Sequence, residues 1–158
     1  MQPRVETGLD IEGWRVGAAL HEGGMATIWE VTREGETTPH VMKVPLIRDA
    51  DDPTPIVGFE VEQMILPRLS GPHVPRFVAA GLWESQPWIV MERIAGHSLK
   101  AALDRLPLPC EEAAAIGAKV ATALHDLHRQ HVIHLDVKPS NLMLRETGEA
   151  VLVDFGLS

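Results

Sequence analysis

Between His134 and Asp154 the chain reads H-L-D-V-K-P-S-N-L-M-L-R-E-T-G-E-A-V-L-V-D, and Phe155 and Gly156 follow. Two apolar runs, Leu142-Met143-Leu144 and Val151-Leu152-Val153, flank the polar Glu146-Thr147-Gly148-Glu149. That is the pattern of a β-hairpin. Folding the hairpin returns Asp154 to the neighbourhood of Asn141 and Asp136, so two carboxylates, a carboxamide and Lys138 are gathered in one place. An Asp beside an Asn presents the hard oxygens that Mg²⁺ takes when phosphates supply the rest of its shell. A second Asp can accept a hydroxyl proton, and a lysine can neutralise charge on a transferring phosphoryl group.

These residues resemble the catalytic loop H-x-D-x-K-P-x-N and the D-F-G triplet of serine/threonine protein kinases of the bacterial type. The Lys138-Pro139 pair resembles serine/threonine rather than tyrosine kinases. It also sets the chain apart from small-molecule phosphotransferases, which share a looser H-x-D-x-x-x-x-N. The resemblance implies ATP and Mg²⁺ as cofactors and a Ser or Thr hydroxyl of a protein as acceptor. By motif match Asp136 is the base, Lys138 stabilises charge at the γ-phosphate, and Asn141 and Asp154 are the metal ligands. Met143 joins the nucleotide-binding set on the same ground. Leu135 replaces the arginine of H-R-D, so activity is expected not to depend on pairing that arginine with a phosphorylated loop.

Upstream, Trp14 to Leu20 reads as a strand, His21-Glu22-Gly23-Gly24-Met25-Ala26 as a break, and Thr27 to Thr32 as a second strand. A glycine turn between strands lets backbone N–H groups come close to phosphate, because no Cβ intervenes. Beside the catalytic loop it resembles the kinase Gly-rich loop, with His21 standing where the first glycine belongs. That departure predicts a stiffer loop that closes less well over the phosphates. Ile28 falls where the family places an apolar residue above the adenine. His40 to Pro45 is a third strand carrying Lys43, and an inward lysine needs a charged partner. Glu62 is the candidate, on a helix over Ile56 to Leu66 that follows Pro53 and Pro55 and carries Phe59, Gln63 and Leu66 on one side. The resemblance gives Lys43 and Glu62 the α- and β-phosphates. Val41 replaces a smaller alanine, which predicts a tighter adenine slot, and Pro67 ends or kinks the helix.

Gly71-Pro72-His73-Val74-Pro75 reads as a loop, and Arg76 to Leu82 and Pro87 to Glu92 as two more strands. Trp88 to Glu92 resembles the strand leading into the kinase hinge, and the resemblance implies that Met91 is the gatekeeper and that the backbone of Glu92 to Ile94 meets the adenine edge. Ser98 is an N-cap for a short helix through Leu106, stopped by Pro107 and Pro109. The clearest helix runs from Glu111 to Arg129, with Ile116, Val120, Leu124 and Leu127 on one face. Its acids lie at the start and its bases at the end, as the macrodipole favours. His125, His128, His131 and His134 recur every third residue. Without a cysteine or a well-placed acid beside them, they read as structural histidines rather than a zinc site.

The fold expected is α+β and protein-kinase-like in two lobes. Residues 1–13 form an N-terminal extension. Residues 14–95 form the small lobe and hinge, with an antiparallel five-stranded sheet and one helix, and residues 96–158 begin a mainly helical large lobe. With 45% apolar residues the chain can build such cores, and a net charge of −8 disfavours nucleic acid or an anionic membrane as partner. Cys110 is the sole cysteine, which fits a reducing compartment, and a cytoplasmic location is expected. The sequence stops two residues past the triplet, before any A-P-E. On the sequence alone, this stretch by itself is therefore expected to be a weak kinase whose long helix is poorly covered. A non-catalytic nucleotide- or partner-binding module is the alternative, favoured by His21 and Val41. A small-molecule phosphotransferase ranks below it.

Overall fold

Alternating apolar residues and glycine-marked turns give the N-terminal half a sheet, and a long amphipathic run gives the C-terminal half a helix. The computed structural model describes residues 4–46 and 54–156. Pro53, just ahead of the expected first helix, and Leu157 and Ser158 lie outside the described residues. The chain divides into two compact units, Met1–Gln63 with Phe77–Arg93, and Met64–Arg76 with Ile94–Ser158.

In the first unit the strands are β1 (Asp10–Ile11), β2 (Trp14–Glu22), β3 (Ala26–Thr32), β4 (His40–Pro45), β5 (Phe77–Trp83) and β6 (Gln86–Glu92). They form one sheet in the order β1-β2-β3-β4-β6-β5, every pair antiparallel. The five expected strands are present, and β1 adds a two-residue edge too short to leave a periodicity. Because side chains alternate across a sheet, each strand divides its residues between two faces. One face carries Val16, Val31, Met42, Val44, Trp88 and Val90, all buried together with Ile11 and Trp14. Residues 4–13 belong to this core. Val5 and Ile11 are buried, the Gly8 N–H donates to the Val16 carbonyl, and the Val16 N–H donates to the Leu9 carbonyl. Gly81 lies opposite Trp88, and a Cβ there would sit 2.4 Å from the indole, so only glycine lets the ring lie across β5.

The other face carries two cross-strand rows. Ile28, Lys43 and Ile89 stand opposite one another, and so do Glu30, Val41 and Met91. Helix α1 (Thr54–Ile65) contributes Phe59 and Glu62, both buried, and the Gln63 amide donates to the Trp88 carbonyl at 3.4 Å. The α-helix ends at Ile65 and tightens into a 3-10 turn over Leu66–Arg68, where Pro67 removes an N–H the α-helix would need.

The second unit holds β7 (Gly96–Ser98), a 3-10 helix over Leu99–Arg105, α2 (Cys110–Arg129), a 3-10 turn over Pro139–Asn141, β8 (Leu142–Arg145) and β9 (Ala150–Leu152). The three strands form a sheet in the order β7-β8-β9. The expected short helix is 3-10 rather than α, capped by Ser98, whose hydroxyl accepts from the Lys100 N–H at 3.2 Å. On α2, Ala123 and Leu127 are buried while Ile116, Val120 and Leu124 are half-buried, in keeping with the expected face. The loop before β5 is fastened to the hairpin. The Leu152 N–H donates to the His73 carbonyl at 2.9 Å, the Arg145 Nε donates to the Pro72 carbonyl, and His73 Nδ1 lies 2.9 Å from the Ala150 carbonyl oxygen.

Candidate active site

In the first unit the site residues gather on the sheet face opposite the tryptophan-rich core. Lys43 on β4 is in an ion pair with Glu62 on α1. Their side chains are 12% and 3% exposed, so the pair is largely withdrawn from water. The pairing offsets part of the cost of withdrawing each charge from water. Val41 and Met91 stand opposite each other on neighbouring strands, both buried, and Ile28 is half-buried in the row beside them. Valine fills the wall where alanine was the family expectation.

The Gly-rich turn is shorter than the sequence suggested. β2 continues through His21 and Glu22, which pair with Ile28 and Thr27, so the turn proper is Gly23–Met25 and Ala26 already belongs to β3. A register irregularity between Ala19 and His21 accommodates the extension, and no apolar pattern announces such a bulge. The Gly23 N–H donates to the Ala26 carbonyl at 2.9 Å, and the Leu46 N–H donates to the Met25 carbonyl at 2.8 Å. Gly24 has open space where a Cβ would project. At the end of β6, Glu92 is half-buried, the Arg93 N–H donates to the Pro39 carbonyl, and the Arg93 guanidinium is 2.6 Å from Glu30.

In the second unit the hairpin closes as expected. Leu142 pairs with Leu152, and the Val153 N–H donates to the Asn141 carbonyl at 3.0 Å, which places Asp154 one residue beyond that bond. Asn141 is buried, and its Nδ2 donates both to the Asp136 carbonyl at 2.9 Å and to Asp136 Oδ2 at 3.0 Å. Spending the amide N–H groups on Asp136 leaves the Asn141 Oδ1 as an acceptor for a cation. Lys138 Nζ lies 3.2 Å from the same Asp136 Oδ2. Met143 is half-buried on β8 and Ile94 half-buried at the start of this unit.

His134 is buried, and two hydrogen bonds fix its tautomer. Nδ1 accepts from the Asp136 N–H at 3.2 Å, so Nε2 carries the proton and donates to the Val153 carbonyl at 2.8 Å. Its ring meets the buried Phe155 ring edge-on at 5.2 Å. Leu135 and Asp154 both hold positive φ, 65° and 64°, a conformation costly for side chains other than glycine. His125, His128 and His131 are exposed.

Among the described residues no group of three or more His, Cys, Asp or Glu is placed to hold a metal on its own. The donor set of Asn141 and Asp154 nevertheless suits Mg²⁺, which keeps several waters and takes one or two protein ligands alongside phosphates. The sequence did not announce the part played by the Val153 carbonyl, the His73 loop or Gln63. Backbone acceptors leave no side-chain signature.

A sequence model of the family described as "Protein kinase domain" matches residues 14–158. Serine/threonine-protein kinase PknK of Mycobacterium tuberculosis is 34% identical over 155 residues, covering 90% of this chain and 14% of that protein. The probable serine/threonine-protein kinase PknB of Lactococcus lactis is 29% identical over 151 residues, covering 92% of this chain and 23% of that protein. The chain thus spans well under half the length of these relatives. Among solved structures, the Mycobacterium tuberculosis PknI kinase domain superposes with a TM-score of 0.79 at 29% identity, covering 98% of this chain and 64% of that one. The expected fold is borne out by that likeness, with an antiparallel sheet and helix followed by the start of a mainly helical lobe.

Proposed function

This chain belongs to the protein kinase domain family, and on that premise we propose that it carries the nucleotide-binding residues and catalytic loop of a serine/threonine protein kinase. The reaction is transfer of the γ-phosphoryl of ATP to a Ser or Thr hydroxyl of a protein, in the cytoplasm. The observation that carries this reading is the Asp136 carboxylate. It is held by Asn141 and faced by Lys138, on a loop that His134 ties to the residue before Asp154.

Asp136 accepts the proton of the attacking hydroxyl. The hydroxyl oxygen bonds to the γ-phosphorus as the bond to the β-bridging oxygen breaks, and ADP leaves with that electron pair. Lys138, beside Asp136, offers its ammonium to the charge on the transferring group. Lys43, held by Glu62, serves the α- and β-phosphates, while His21, Glu22, Gly23, Gly24 and Ala26 line the phosphate chain with their backbone, in the turn and its flanks. Ile28, Val41, Met91 and Met143 offer apolar contacts to the base, and the backbone of Glu92 to Ile94 meets its edge. Asn141 and Asp154 would hold Mg²⁺, which when bound neutralises phosphate charge and orients the phosphates for in-line displacement.

A non-catalytic binding module is the second reading, favoured by His21 and by the tighter wall at Val41. The full set of catalytic residue types favours the enzyme. Titration calorimetry with ATP and Mg²⁺ tests the nucleotide part. Saturable binding that weakens by about 1–3 kcal/mol in Lys43→Met is expected, the scale of a lost charge-assisted contact. A well-folded wild-type protein that binds no ATP would overturn the reading.

A further inference from the structure

We propose that the imidazole of His21 is an additional ligand for the phosphate chain of the bound nucleotide, a role that rests on the ATP-binding reading above. The family pattern that the Gly-rich turn resembles has a glycine at this position, which carries no side chain, so that pattern assigns the imidazole no contact. Its position is fixed. His21 lies within β2 opposite Ile28, and Ile28 lies opposite Lys43, so the three share one cross-strand row. Residues directly opposite one another project to the same face, and neighbouring strands are about 4.8 Å apart, so His21 and Lys43 flank Ile28 on the face that carries the nucleotide residues.

The ring leans over the turn, with Nε2 3.3 Å from the point where a Cβ on Gly23 would sit. The Gly23 N–H is already committed to the Ala26 carbonyl, so the turn has one backbone donor fewer for an anion. An imidazole N–H beside it supplies a donor in the same place, and phosphate oxygens accept only. His21 is exposed, and no hydrogen bond or ion pair engages its ring among the described residues. The carboxylates on this face are engaged elsewhere, Glu62 by Lys43 and Glu30 by Arg93, while Glu22 alternates to the other side of its strand. Phosphate approaching over Ile28 therefore meets a cation from β4 and a hydrogen-bond donor from β2.

The test is calorimetric binding of ATP and of adenosine, both with Mg²⁺, to wild type, His21→Gly, His21→Phe and His21→Gln. Both His21→Gly and His21→Phe are expected to weaken ATP binding by about 2- to 10-fold, with adenosine binding unchanged. His21→Gln keeps an N–H donor and should recover part of the loss. Agreement of the Gly and Phe variants separates a lost contact from a change in loop stiffness, since Gly loosens the backbone whereas Phe keeps the Cβ and ring that restrict it as His does. Wild-type ATP affinity in His21→Phe would overturn the assignment while leaving the nucleotide site intact. Equal losses for ATP and adenosine would overturn it too, by moving the effect off the phosphates. Absence of ATP binding in wild type would overturn both this role and the reading beneath it.

Discussion

The Nε2 atom of His134 lies 2.8 Å from the carbonyl oxygen of Val153, and through that bond the catalytic loop and the D-F-G triplet hold each other in place. The same ring accepts the Asp136 N–H and packs edge-on against Phe155. One buried imidazole thereby sets the residue before Asp154 and the backbone of Asp136 together. His134→Ala strands a carbonyl and an N–H and leaves a void beside Phe155. A stability loss of about 2–4 kcal/mol is expected, read by urea denaturation. A loss below about 0.5 kcal/mol, the range of an ordinary surface change, would show that the ring is not the tie described.

The Lys43–Glu62 pair is withdrawn from water, so removing one partner should cost more than removing both. Glu62→Leu alone leaves a buried ammonium, and a loss of about 3–5 kcal/mol is expected. Lys43→Met with Glu62→Leu leaves an apolar pair and should be less destabilised than the Glu62 variant. A double-mutant cycle by thermal or urea unfolding reads the coupling directly, and strictly additive losses would contradict the buried pair.

Leu135 holds φ at 65° with its side chain 68% exposed, so it bears backbone strain without gaining burial. Asparagine tolerates the left-handed region better, and Leu135→Asn should stabilise by about 0.5–1 kcal/mol. Leu135→Arg should be near neutral, because the position opens to solvent. A loss above about 1 kcal/mol in either variant, against the small effects usual at exposed sites, would mean that the leucine makes a contact the fold needs.

Gly81→Ala tests the close approach of β5 and β6. The new methyl would meet the Trp88 indole at 2.4 Å, inside contact distance and backed by the buried core. Overpacking of this kind costs about 1–3 kcal/mol. Unfolding of Gly81→Ala followed by tryptophan fluorescence measures it, and wild-type stability would show that the indole moves aside freely.

Much of this was legible because the chemistry sits in side chains at fixed spacing. The hairpin from Leu142 to Val153 follows from two apolar runs and a glycine turn, and the Lys43–Glu62 pair from an inward lysine that needed a counter-charge. What escaped was carried by backbone or by very short elements. β1 and β7 are too short for periodicity, and β7 includes a glycine that offers no packing signal. The continuation of β2 through His21 and Glu22 went unseen because polar residues before two glycines read as loop. Strand pairing with Ile28 and Thr27 overrode that local preference. Residues 4–13 carry too few apolar residues to announce a core, yet Val5 and Ile11 complete one that the tryptophans begin.

The central claim is that Asp136 takes the proton of the attacking hydroxyl, and the Asp136→Asn variant tests it most directly. An asparagine keeps the shape and can still meet Asn141, but it cannot accept a proton in the transition state. Radiolabelled phosphate incorporation into a Ser/Thr peptide and ATP affinity should be measured side by side for wild type and variant. The account predicts transfer reduced to background with ATP affinity essentially unchanged, because the base acts on the transition state and not on bound nucleotide. Wild-type turnover in the variant, or loss of ATP binding by a protein that remains folded, would contradict it.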